Sequence, residues 1–178
     1  VAIDLMIDLM DLCDRTDVSA FARLYMRHAL REASRSDDQS TKNGAVIVQD
    51  EGVVASGHNH FIPGFGHLPE HHERPFKYSV IEHAERDVVY NAARYGARTE
   101  GGIMVANWVA CPDCARAIIL SGVLEVVCHA VCMERTPERW FEEVALGLKM
   151  IRDNGIILTY FTGKCDMENL NNGEWIAL

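Results

Sequence analysis

The sequence predicts an α/β domain of three layers, with helices on both faces of a mixed five-stranded sheet. Three observations carry this. Helical and extended patterns follow one another as helix, strand, strand, then three helix–strand units. The run Ile103 to Ala106 is apolar throughout, as in a strand covered on both faces. A long amphipathic segment separates the last two strands, so those strands should be parallel with a right-handed crossover.

The elements follow in chain order. The acidic, Leu/Met-rich segment 1–17 reads as a peripheral helix or an oligomer contact. From Ser19 to Ser36 a helix is expected, with Phe21, Leu24, Tyr25, Ala29 and Ala33 on one face. The polar stretch SRSDDQSTKN then interrupts, and Ala45 to Val48 and Val53 to Ala55 flank Asp50-Glu51-Gly52 as a β-hairpin. Residues 58–79 are a long loop rich in His, Pro and Gly, a type of segment that is often functional inside a compact domain. A helix from Glu82 to Tyr95 carries Ala84, Val88, Ala92 and Tyr95 at helical spacing and stops at Gly96. After the Ile103 strand, a helix runs from Pro112 to Ser121 and ends at Gly122, and Leu124 to Cys128 is the next strand. Thr136-Pro137-Glu138 reads as a helix start: a capping hydroxyl, a first-turn proline, then an acid. That helix puts Trp140, Val144, Leu148 and Ile151 on one stripe and stops at Asn154-Gly155. Ile156 to Phe161 is the last strand, and the polar residues 163–178 are expected to form a loose tail. A single domain over 1–178 is expected, since no linker or boundary interrupts it.

Charge and cysteine usage narrow the function. The formal net charge of −9 argues against a basic face for stable nucleic-acid binding, although a local basic patch could still hold one phosphate. No apolar run is long enough for a membrane span. Six cysteines without a visible signal-peptide pattern suggest reduced thiols or metal ligands, and a cytoplasmic protein.

Two short motifs carry chemistry. IEHAERD places His83 and Glu85 at the start of one helix, and VACPDCARAII places Cys111 and Cys114 at the start of another. Residues two apart in mid-helix point about 200° apart, so only at a helix tip can His83 and Glu85 approach one centre. Cys111 and Cys114 converge on one side of a turn, where the helix dipole favours thiolates. One His and two Cys are three protein ligands for zinc, which prefers four, and the open position suits catalysis better than a structural role. Zinc acidifies a water bound there, and Glu85 then reads as a proton carrier. The competing readings are a redox Cys-x-x-Cys pair beside an unrelated His, or a structural zinc lacking its fourth ligand. His-x-Glu with Cys-x-x-Cys is the signature of zinc deaminases.

At these residues the chain resembles the cytidine/deoxycytidylate deaminase superfamily, most closely its deoxycytidylate (dCMP) deaminase family. The resemblance covers about Ser36 to Phe161 and rests on SDDQSTKNGAVIV, GHN at 57–59, KYSVIEHAE and ACPDCARAIILSGVLEVV. It implies the cytidine-deaminase-like fold, with His83, Cys111 and Cys114 as zinc ligands and Glu85 as proton shuttle. It further implies that Asn59 holds the sugar, that the Ala84 backbone meets the base, and that Ser40, Thr41 and Lys42 are phosphate contacts. Hydrolytic deamination of dCMP, or a 5-substituted dCMP, is then the expected reaction. A nucleic-acid deaminase and a deaminase of a free base or other heterocycle are the alternatives. A homo-oligomer and dCTP or dTTP effectors are implied by the resemblance alone. Ala110 and Asp87 depart from the family pattern, which usually has Pro and often Asn there.

Four other groups carry weaker signals. Trp108 could stack on the base or serve core packing. His67, His71 and His72 could bind a second metal or simply belong to a polar lid. Arg74, Lys77 and Arg86 could neutralise a phosphate or be solvated charge, and Cys128 and Cys132 read as small buried residues.

Overall fold

The computed structural model describes residues 8–178. The opening of the 1–17 segment, with its expected helix or oligomer contact, lies outside the described residues up to residue 7. The remainder of that segment does something else. Leu9–Leu12 is one turn of 3-10 helix with Leu9 and Leu12 in the core, and β1 (Arg15–Asp17) pairs parallel with the last sheet strand. The sheet therefore has six strands, the expected five plus this N-terminal edge.

Beyond β1 the described elements are α1 (Ala20–Ala33), β2 (Gly44–Gln49), β3 (Gly52–His58), β4 (His60–Phe61), a second 3-10 turn (Pro69–His72), α2 (Lys77–Val80), β5 (Ile81–Glu82) and α3 (Ala84–Tyr95). There follow β6 (Ile103–Ala106), α4 (Pro112–Leu120), β7 (Glu125–His129), α5 (Ala130–Glu134), α6 (Glu138–Asp153), β8 (Ile157–Phe161), β9 (Glu168–Asn171) and β10 (Glu174–Ala177). The main sheet runs β1-β8-β7-β6-β2-β3. β2 is antiparallel to both β3 and β6, while β6, β7, β8 and β1 are parallel.

Strand alternation divides the core into two. Ala45, Ile47, Met104, Ala106, Val126, Cys128, Leu158 and Tyr160 face α3, α4 and α6. Val46, Val48, Val105, Val127 and Phe161 face α1. This is the period-2 rule acting on strands covered on both sides.

Three local expectations are corrected. On α1 the buried stripe is Ala22, Tyr25, Met26, Ala29, Leu30 and Ala33, whereas Phe21 and Leu24 are exposed. Both stripes have helical spacing and share Tyr25, Ala29 and Ala33; the sheet takes the one containing Met26 and Leu30. The Thr136 hydroxyl does not cap α6. Pro137 is the N-cap residue, and Thr136 Oγ1 instead accepts from Trp108 Nε1 at 2.9 Å. The tail is no loose end: β9 and β10 form an antiparallel hairpin that buries Asn169, Leu170, Asn171, Ile176 and Leu178.

Candidate metal centre and substrate cleft

β6 ends beside the start of the antiparallel β2, with Ala106 paired to Ala45, and α4 begins a few residues beyond that end. His83 is the N-cap residue of α3 and Cys111 that of α4, both in extended backbone conformation. Pro112 opens α4, where a missing N–H costs nothing, and Cys114 sits one turn in. Gly147 lets α6 pack close, since a Cβ there would run into the Ala110 carbonyl and the Cys111 backbone.

His83 Nδ1 lies 3.6 Å from Cys111 Sγ and 3.5 Å from Cys114 Sγ. Ligands about 2.0–2.3 Å from a tetrahedral zinc sit roughly 3.3–3.8 Å from one another. The three donors therefore fit zinc as they stand. They are also the one group of three His, Cys or carboxylate side chains with metal-compatible spacing among the described residues.

Electrostatics agree with that use. The Cys111 thiol, hydrogen-bonded by Cys114 and close to His83, is pulled down to about 4 despite its burial. Cys114, which holds the shared proton and is buried, is pushed up. Its proton would leave on metal binding. Glu85 is buried beside His83 and both thiols, and burial pushes its carboxyl up to about 7, with His83 opposing. A carboxyl near 7 both takes and gives a proton at neutral pH.

A cleft leads to this centre. Its lining reaches His83 and Cys111, and its empty volume including the open mouth is about 770 Å³. Ser40, Thr41, Asn59 and Trp108, which the sequence singled out as candidate substrate contacts, line it. Glu85 and Ala84 lie buried behind the lining. Lys42 is not brought in: its amine donates to the Ser36 carbonyl, because the loop curls back over it. Asn59 is tied into the same loop, accepting from Asn43 N at 2.7 Å and donating to the Thr41 carbonyl at 2.8 Å. Asp38 is the hub of that loop. It accepts from Ser40 N, Thr41 N and Asn59, and its carboxylate pairs with the buried Lys77 amine at 2.6 Å.

Of the other cations, Arg74 lines the cleft, while Arg86 turns away to Glu82 and Asp113. The loop histidines do not gather around a second centre. His71 Nδ1 accepts from Gly66 N and His72 Nε2 meets the Gly66 carbonyl, both at 2.9 Å, so they hold the 58–79 loop in shape. Cys128 and Cys132 are buried free thiols, pushed up by burial. Sequence reasoning missed Asn43, Tyr78, Arg135, Arg139, Asn171 and Asn172, all in the cleft lining. Asn43 and Tyr78 lie within SDDQSTKNGAVIV and KYSVIEHAE but were not singled out, and no motif marked Arg135, Arg139, Asn171 or Asn172, which reach the cleft from beyond the family-like segments near the zinc motifs.

Comparison with known proteins agrees with this geometry. Residues 20–130 match the model of the cytidine and deoxycytidylate deaminase zinc-binding region, a span containing His83, Glu85, Cys111 and Cys114. An uncharacterized deaminase in the luxG 3' region of Aliivibrio fischeri is 30% identical over 146 residues, 80% of this chain and 95% of that protein. The tRNA-specific adenosine deaminase of Bacillus subtilis is 29% identical over 153 residues, 78% of this chain and 87% of that one. The deoxycytidylate deaminase of Mus musculus is 31% identical over 120 residues, 64% and 66% of the two chains. The dCMP deaminase of cyanophage S-TIM5 shares the fold, with a TM-score of 0.62 at 23% identity over 77% of this chain and 93% of that one. A matched zinc-binding region with its three ligands already spaced for the ion leaves one assignment: the chain belongs to the cytidine/deoxycytidylate deaminase superfamily and is a zinc-dependent deaminase.

Proposed function

We propose that the protein hydrolyses the exocyclic amine of a cytosine deoxynucleotide, dCMP or a 5-substituted dCMP, releasing ammonia. The observation that carries the reading is a buried Glu85 carboxyl two residues from His83, beside a His83–Cys111–Cys114 donor set that an open cleft reaches. The deoxycytidylate relatives support the choice of substrate.

His83 Nδ1 and the two thiolates would hold zinc, which when bound supplies a nucleophile at neutral pH by acidifying water. Glu85 takes one proton from the attacking water and delivers it to the ring nitrogen, then takes the second from the hydroxyl now on the ring carbon and delivers it to the departing amine, so that carbonyl formation and ammonia release balance. Its burial keeps bulk water from short-circuiting those transfers. The Asp38 hub fixes Ser40, Thr41 and Asn59 so that the cleft is shaped before substrate arrives. Trp108, held by Thr136 at 2.9 Å, offers a flat apolar face beside the metal donors for the base.

A second reading, deamination of adenosine in tRNA, is favoured by the Bacillus subtilis relative. The charge of −9 weighs against it, since tRNA binding draws on a positive surface. The test is metal removal and return. Purified protein should convert dCMP to dUMP with ammonia release, lose that activity on chelation, and regain it with zinc. Undiminished turnover after elemental analysis shows the metal gone would sink this reading.

A further inference from the structure

The match to the family model ends at residue 130, yet the cleft is closed by residues beyond it. The β9–β10 hairpin is stitched to the Asp38 loop by backbone hydrogen bonds. Lys42 N donates to the Leu170 carbonyl at 2.9 Å, and Gly173 N to the Ser40 carbonyl at 2.7 Å. Asn172 N donates to Thr41 Oγ1 at 3.0 Å. The hairpin turn also reaches α6, where Arg139 donates to Asn172 Oδ1 at 2.8 Å. Asn171 and Asn172 thus form one wall of the cleft.

The charge of that cleft is opposite to that of the chain. Asp38 is its one lining carboxylate among the described residues, and Lys77 already matches it. Arg74, Arg135 and Arg139 then stand in the same lining. Among the described residues, Arg74 and Arg139 have no carboxylate partner, and Arg135 meets only the exposed Glu174 at 3.4 Å. A guanidinium presents a planar fork of donors that suits phosphate oxygens, and Asn172 occupies only part of Arg139's fork. Two arginines without a carboxylate partner, Arg74 lying over the Tyr78 ring and Arg139 held by Asn172, and a third paired only with the exposed Glu174, leave the cleft with positive charge that an anion would offset.

We propose that the C-terminal hairpin and the arginines it frames form an anion-recognition end of the cleft. Arg139, oriented by Asn172, binds the phosphate of a free mononucleotide together with Arg135 and Arg74, and so sets a preference for nucleotide over nucleoside. Asn172 is a positioning residue in this scheme. The proposal rests on the deaminase reading above and adds its phosphate-reading residues.

The experiment compares kcat/KM for dCMP, deoxycytidine and a cytosine-containing single-stranded oligodeoxynucleotide. It uses the wild type, Arg139→Ala, Arg139→Lys and Asn172→Ala, each checked for zinc content and melting temperature. The wild type should prefer dCMP over both other substrates. Arg139→Ala should reduce the dCMP-over-deoxycytidine ratio by about 10-fold to 100-fold, the scale of one charge-assisted hydrogen-bonded contact. Arg139→Lys should restore part of it, and Asn172→Ala should lower it by a smaller factor. Should Arg139→Ala fail to fold, inorganic phosphate on the wild type serves instead: it should inhibit deoxycytidine turnover competitively. An unchanged ratio in folded, zinc-loaded Arg139→Ala, or no inhibition by phosphate, overturns the anion site while leaving the deaminase intact. Equal turnover of the oligonucleotide overturns the free-nucleotide assignment. Absence of turnover on all three substrates overturns the cytosine-nucleotide reading and the anion site with it.

Discussion

Glu85 and Cys114 sit in the same few ångströms but fail differently when changed. Glu85 touches no metal donor role, so Glu85→Gln should keep zinc and the fold while turnover drops by about 100-fold to 10,000-fold, the usual worth of a general acid–base. Turnover assays beside elemental analysis check it. Cys114→Ala removes one of three ligands and should lose zinc, read by the same elemental analysis; retention of full metal would mean the ligand set is wrong. His60 offers a pH test away from the metal. Its ring meets Asp87 Oδ1 at 3.2 Å, and that hydrogen bond raises it from 6.5 to about 9. A histidine pKa raised by folding adds stability in full below its unfolded value and loses it as pH climbs through the folded one. Stability should therefore fall between about pH 6.5 and 9, and His60→Ala should flatten that fall. Urea unfolding at both ends of the window measures it. Asp87 also accepts from His58 N at 3.1 Å, so the departure from the family's usual Asn keeps a hydrogen-bonding role and gains a charged partner.

At the scale of elements, the site depends on two helix tips being held at one distance by what packs behind them. At Gly147 the helix α6 comes close against the Ala110–Cys111 backbone. Gly147→Ala should cost about 1–3 kcal/mol, as overpacking does, and weaken zinc retention because it pushes on the Ala110–Cys111 backbone. Chemical denaturation together with zinc loss to a chelator checks both parts. Thr136→Val should cost about 1 kcal/mol or more by leaving the Trp108 N–H without its acceptor. The metal motif and the strands were legible because each is local: three ligands and a proton carrier within two helix starts, and apolar runs at strand spacing. The α1 face was not, since two stripes share Tyr25, Ala29 and Ala33 and only the sheet selects between them. The Thr136 cap failed for a related reason: a distant indole claims the hydroxyl. The C-terminal hairpin was hidden by its polarity, because the buried Asn169 is satisfied by donating to the Lys42 carbonyl, 127 residues away in the chain.

For the whole molecule, the six-stranded sheet serves as a platform whose one edge carries every chemical group of the site. No described helix is long and apolar enough to cross a membrane. The net charge of −9 and the positive cleft within it support the proposed free nucleotide over a polyanion. The reaction class was legible in the sequence because zinc chemistry needs fixed residue types at fixed spacings. Substrate choice was not, because Arg74, Arg139 and Asn172 converge only through tertiary structure. The most direct test is ammonia release by zinc-loaded protein from a matched set: cytosine, deoxycytidine, dCMP, 5-methyl-dCMP, CMP and a tRNA substrate. The account predicts turnover of dCMP or its 5-methyl form well above every other member. Turnover of tRNA adenosine alone, or of no pyrimidine while zinc remains bound, would contradict it.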